Sequence, residues 1–235
     1  MRNVYLLFVM TFALAPHALA NSPQGNQVFQ KLNAGQPQTV LIYGTSLSAG
    51  GAWAKATREW FDQKFPGLVT FQNSASGGEN SDWGLQNLPV KVLSHKPDLV
   101  FIEFSYNDAV DDLMPVERGY DNLQKMVAAI RSQNPQTAII LQIMNVGWDP
   151  RPDHLPFSRR ANLEKFNENY RRFATKNALP LIDHYPAWLK LKEQNPETFH
   201  KYLPDGSHPT PQASLAVTWP AIESFLNHAN AQATK

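Results

Sequence analysis

Short apolar runs and longer amphipathic stretches alternate along this chain. Five runs are dense in aliphatic and β-branched residues: 39–44 (TVLIYG), 69–75 (VTFQNSA), 98–105 (DLVFIEFS), 138–145 (AIILQIMN) and 179–185 (LPLIDHY). Their length and composition predict buried strands. Between them lie helix-like segments, of which 116–133 is the clearest, with Leu123, Met126, Val127 and Ile130 at helical spacing beside polar neighbours. Near the C-terminus, Thr210 reads as an N-cap and Pro211 as a first helical residue, followed by an apolar face through Leu215, Trp219, Ile222, Phe225 and Leu226.

Strand and helix alternating in this way predict the α/β class, as a flavodoxin-like three-layer α/β/α sandwich around a mainly parallel five-stranded sheet. In such folds ligands bind beyond the carboxyl ends of the strands, so the loops after the strands are where chemistry is expected.

The first 20 residues differ from the rest. Arg2 gives a positive start, residues 4–15 an apolar core, and Pro16 a break before Ala18, Leu19 and Ala20. This is the pattern of a cleavable signal peptide, with an apolar core too short to span a bilayer. The expected organisation is a signal peptide at 1–20, a loose N-terminal leader at 21–37 and a single catalytic domain at 38–235, with the mature protein periplasmic or secreted and not inserted in a membrane.

Composition narrows the function. Lys+Arg 21 against Asp+Glu 20 leaves a formal net charge of +1, without the basic footprint of a nucleic-acid binder. With Cys 0, a thiol nucleophile, a disulfide framework and thiolate metal sites are excluded. His95, His154, His184 and His200 lack metal-ligand spacing, so no metal and no cofactor are expected.

Four loops carry residues that folding alone does not require: Ser46 within GTSLSAGG, Gly77 and Gly78 within NSASGGENSDWGL, Asn107 within SYND, and Asp205 and His208 within DGSH. Singly they are ordinary, Ser46 as a helix cap, Asn107 and Asp205 as turn residues and His208 as a residue before a helix. Together they supply what acyl transfer needs. Ser46 is then the nucleophile, His208 its base and Asp205 the carboxylate that orients the ring. The backbone N–H groups of Ser46 and Gly78 and the side-chain amide of Asn107 are the candidate oxyanion hole.

These four blocks, in this order over most of the mature chain, resemble the signature blocks of the SGNH or GDSL-type esterases and lipases. The resemblance implies the same roles for Ser46, Gly78, Asn107, Asp205 and His208. Two positions depart from the family pattern: Thr45 stands where aspartate is usual, and Ser105 where a glycine usually precedes the asparagine by two.

The expected activity is an ester hydrolase working through an acyl-serine, without a cofactor, on a small-molecule or polysaccharide ester. Removal of short acyl groups, acetyl above all, from a carbohydrate is the leading substrate class. Alternatives are a lipolytic or aryl esterase, a thioesterase, an O-acyltransferase using the same site, or a non-catalytic glycan-binding protein. Trp83, Tyr106 and Trp148 fall in loops after strands and are candidates to line the substrate site, with core packing as their alternative. Glu103, inside an apolar run, needs hydrogen-bond partners if it is buried. Oligomeric state is left open.

Overall fold

The computed structural model describes residues 23–110, 113–150 and 160–234. The expected signal peptide, Asp111, Asp112 and His154 lie outside the described residues.

The five expected strands are present: β1 (Gln38–Gly44), β2 (Val69–Asn73), β3 (Leu99–Glu103), β4 (Ala138–Ile143) and β5 (Leu181–Asp183). They form one sheet in the order β2-β1-β3-β4-β5, and every pairing is parallel. A parallel sheet is covered on both faces, so its strands read as continuous apolar runs. Alternation then sorts each strand's side chains between two cores. Val40, Ile42, Phe101 and Ile140 point to one layer, where they meet Phe29, Trp53, Phe61 and Phe225. Leu41, Tyr43, Ile102 and Leu141 point to the other and meet Leu88, Met126, Ile130 and Phe173.

The first layer is built from α1 (Pro23–Asn33), α3 (Ala52–Lys64) and α11 (Trp219–Ala233), and the second from α4 (Ser81–Lys91), α6 (Val116–Gln133) and α7 (Leu163–Asn177). Short helices at the carboxyl edge, α2 (Ser46–Ala49) and α5 (Ser105–Asp108), follow β1 and β3 directly. After β5 come α8 (Tyr185–Gln194), α9 (Pro196–Tyr202) and α10 (Pro211–Ala213).

Two expectations are corrected. The segment 21–37 is not a loose leader: α1 occupies most of it and buries Val28, Phe29 and Leu32 against the sheet layer that holds α11. The polar residues between these three gave the segment the look of a tail, whereas its apolar positions fall on one face of a helix. The C-terminal helix does start at a Thr210 cap, whose Oγ1 accepts the Ala213 amide, but Leu215 is 45% exposed. A π-helical turn at Ser214–Thr218 separates α10 from α11. A wider turn shifts the helical phase, so Leu215 leaves the stripe that Ile222, Phe225 and Leu226 bury.

The β1–β3 register sets Gly44 opposite Glu103. A Cβ built on Gly44 would lie 2.6 Å from the Glu103 carbonyl oxygen and would also run into its carboxyl group. Only a residue without a Cβ fits there.

Two outcomes follow. Phe29→Ala should lower unfolding free energy by about 3–5 kcal/mol, as for other buried phenylalanines, measured by denaturant unfolding; a loss near zero would mean that α1 is dispensable to the fold. Gly44→Ala should lower the melting temperature because the clash is with backbone, and a wild-type melting curve would contradict the close approach.

Candidate active site

The site assembles at the carboxyl edge of the sheet. β1 runs into α2 through Thr45, whose side chain accepts the Leu47 amide and so caps this short helix. Ser46 is the first residue of α2, where an amide has no partner within the helix. Its hydroxyl lies 2.8 Å from Nε2 of His208, a residue 162 positions away in sequence.

The DGSH segment folds as a turn around the Asp205 carboxylate. Oδ1 accepts the backbone amides of Ser207 at 2.9 Å and His208 at 2.7 Å, while Oδ2 lies 2.7 Å from His208 Nδ1. Burial raises the Asp205 pKa, but the two backbone amides and the His208 ring outweigh it and hold the carboxyl below its ordinary range. Asp205 thus stays ionised beside the ring and favours the tautomer that carries its proton on Nδ1 and offers Nε2 to Ser46. The His208 and Asp205 side chains are 51% and 54% exposed, so this end of the constellation opens to solvent.

The turn is held from below by the segment after β4. Asn145 Nδ2 donates to Ser207 O at 2.9 Å, the Trp148 amide to Gly206 O at 3.0 Å, and Trp148 Nε1 to Leu203 O at 2.7 Å. Arg160 adds a brace between loops: its Nε donates to Tyr106 O and its Nη1 to Ser207 Oγ, with the guanidinium 3.9 Å above the Tyr106 ring.

The candidate oxyanion donors come from two further loops. Gly77 lies over Ser46, since a Cβ on Gly77 would sit 3.8 Å from the Ser46 Cβ. Gly78 has φ of +77°, which an L side chain rarely adopts, and this sets the direction of the chain past the nucleophile. Asn107, on α5, donates from Nδ2 to Glu79 O at 2.8 Å, which fixes its amide against the same turn. A second N–H on Nδ2 is available to a ligand.

Glu103, at the end of β3, is 1% exposed and accepts hydrogen bonds from the nucleophile loop. Its Oε1 takes the Thr45 amide at 2.6 Å, the Thr45 hydroxyl at 3.0 Å and the Ser48 hydroxyl at 2.6 Å. Burial raises its pKa to about 7, with the bonds from Ser48 and Thr45 opposing that rise and the nearby Asp108 carboxyl adding to it. A carboxyl group is therefore present at the nucleophile loop, on β3 instead of at position 45, and Thr45 serves as its donor. Ser105, the other departure from the family pattern, is buried and donates to Asn167 Oδ1.

The structure brings Ser46, His208 and Asp205 together and places Gly78 and Asn107 in one adjoining cluster. It does not bring the three loop aromatics to the nucleophile. A cavity of about 320 Å³ beside Ser46 is lined instead by Leu47, Gly51, Trp53, Gly77, Met144 and Thr218 among others. Trp83 packs 5.8 Å from the Tyr43 ring in the sheet layer, Tyr106 is 2% exposed, and Trp148 stacks on His200 at 4.2 Å. Tyr106 is thus sealed within the core, while Trp83 and Trp148 are only partly buried against it.

Trp53, Asn145 and Arg160 were missed by sequence reading. Trp53 and Asn145 sit inside an amphipathic stretch and at the end of an apolar run, where nothing marks them, and Arg160 is one basic residue among many.

Comparison with known proteins agrees with this architecture. The model of the GDSL-like lipase/acylhydrolase family matches residues 8–214. An arylesterase of Vibrio mimicus is 26% identical over 202 residues, covering 81% of this chain and 90% of that protein. The esterase TesA of Pseudomonas aeruginosa is 24% identical over 199 residues, covering 80% and 90%. Among solved structures, a two-domain esterase active on acetylated mannans, co-crystallized with mannopentaose, shares the fold with a TM-score of 0.71 at 22% identity, over 89% of this chain and 54% of that one. With most of its length matched by the family model and the family's blocks gathered at one sheet edge, the chain belongs to the GDSL-like lipase/acylhydrolase family.

Proposed function

We propose that this protein is an exported serine ester hydrolase that removes short acyl groups, acetyl above all, from a carbohydrate. The observation that carries the chemistry is the relay of Ser46 Oγ, His208 Nε2, His208 Nδ1 and Asp205 Oδ2, with contacts of 2.8 and 2.7 Å. Ser46 Oγ attacks the ester carbonyl carbon as its proton passes to His208 Nε2. The carbonyl oxygen becomes an oxyanion, stabilised by the Ser46 and Gly78 amides and by Asn107 Nδ2. Collapse breaks the bond to the alcohol oxygen, which takes the proton from His208 and leaves an acyl-serine. Water, deprotonated by His208, attacks that acyl carbon, and Ser46 recovers its proton as the acid departs. Asp205 remains ionised throughout and offsets the charge on the imidazolium.

The carbohydrate reading is supported by the exposure of His208 and Asp205, which leaves room for a bulky alcohol, and by the shared fold with an esterase active on acetylated mannans. Export rests on the sequence pattern of residues 1–20. Among the described residues no helix is long and apolar enough to cross a membrane.

A second reading, a longer acyl or an aryl ester, is favoured by the cavity beside Ser46. Its polar groups are largely satisfied within the protein: Trp53 Nε1 donates to Leu47 O, the Trp53 amide to Ser214 Oγ and Trp188 Nε1 to Thr218 Oγ1. What faces the cavity is mainly apolar, and each methylene buried there contributes about 0.8 kcal/mol.

Hydrolysis of p-nitrophenyl acetate, butyrate and octanoate separates these readings. Turnover that falls with chain length, with acetate released from acetylated glycans, supports the first reading; turnover that rises with chain length replaces it with the second. Ser46→Ala and His208→Ala should each remove nearly all turnover while leaving the melting temperature close to wild type. Asn107→Ala should lower kcat by about 10²- to 10³-fold, and full activity would remove Asn107 from the oxyanion hole.

A further inference from the structure

Among the described residues, the buried acid with the most hydrogen bonds, Glu103, stands beside the nucleophile without bonding to it. Glu103 receives hydrogen bonds on both sides of Ser46: from the amide and hydroxyl of Thr45, the residue before it, and from the hydroxyl of Ser48, two residues after it. The Thr45 hydroxyl in turn accepts the Leu47 amide, so its proton points to Glu103. All three groups donate to the carboxyl, chiefly to Oε1, while Oε2 is reached by the Thr45 hydroxyl at 3.2 Å, and this convergence of donors favours the ionised form. Ser48 O also accepts Asn73 Nδ2, tying the far side of the loop to the end of β2.

We propose that the Glu103 carboxylate is the positioning residue for Ser46, fixing the nucleophile's hydroxyl and amide by clamping Thr45 and Ser48 to the end of β3. The proposal deepens the serine-hydrolase reading and rests on it for its activity readout. Protonation would remove an acceptor from the clamp, and burial brings that event to about pH 7. The sign is that of an acid with a raised pKa: the clamp is complete above about 7 and weakens as pH falls below it. The titratable groups facing Glu103 are Asp108 from α5, itself raised to about 7 by burial, and Tyr170 from α7, which is raised well above its ordinary value and stays neutral.

The test is the rate at which a serine-directed fluorophosphonate labels Ser46 in the full chain, measured from pH 5 to 9, with Ser46→Ala as the blank. Wild type should show a steeper acid limb than Glu103→Gln, and Glu103→Gln should label roughly 10- to 100-fold more slowly at pH 8 with its fold retained. Labelling at the wild-type rate, or acid limbs of equal steepness in the two proteins, would overturn the proposal. If Glu103→Gln does not fold, Ser48→Ala removes one donor alone and should label several-fold more slowly, and an unchanged rate would count against the clamp. A wild-type protein that took no label would instead refute the serine-hydrolase reading, and the Thr45 amide proton resonance then decides Glu103 by itself. It should titrate with a midpoint near 7 in wild type and at a lower midpoint in Asp108→Asn, and a pH-independent resonance overturns the proposal.

Discussion

A carboxyl group sealed at the end of a β-strand loses its water, and the loss is tolerated only where other donors replace it. At Glu103 those donors all come from one place, the loop that leaves β1. Much of the site's local geometry depends on this junction. The β1–β3 register brings Gly44 to Glu103, the absence of a side chain at Gly44 leaves space for the carboxyl, and Thr45 and Ser48 turn their hydroxyls inward to meet it. Ser46, between them, is left facing the cleft.

The rest of the site divides along the same boundary between buried and exposed. On the buried side, polar groups are held in networks: Asp108 accepts the Ser81 amide, Asn122 donates to Ser81 Oγ, and Ser105 is bonded to Asn167. These bonds tie the start of α4 and the turn carrying Asn107 to helices of the second layer. On the exposed side, the Asp205–His208 turn is small and its side chains are half in solvent. It is kept in register by backbone and side-chain bonds from Asn145, Trp148 and Arg160. A base that must accept and return protons is thereby open to water, with Asp205 sharing its exposure and Asn145 buried beneath the turn.

The positions where sequence reading failed share a cause. Phe29, Val28 and Leu32 are too few and too near the N-terminus to outweigh the polar residues around them, and their value appears only when the sheet supplies a surface for them. Leu215 falls on the apolar spacing of its helix, but a π turn, which no residue pattern announces, rotates it outward. Trp83 and Tyr106, expected in loops, fall within α4 and α5, and they and Trp148 cover the edge of a core or brace a neighbouring loop.

Local patterns in the chain were enough to determine the class of fold. A strand buried on both faces must be apolar throughout, and a helix lying on it must be apolar on one side, so both periods are written in the residues. The candidate nucleophile, base and orienting acid were legible for another reason: Ser46, Asp205 and His208 are ordinary singly, and only the short segments that hold them, taken together and in order, supply what acyl transfer needs. What tertiary structure alone decided was which distant groups meet. Glu103 is 58 positions from Thr45 and His208 is 162 from Ser46, and parallel pairing with its crossovers brings both to one edge. Burial then sets the carboxyl of Glu103 apart from an ordinary glutamate, and burial is a property of the assembled layers, not of the residues beside it in the chain.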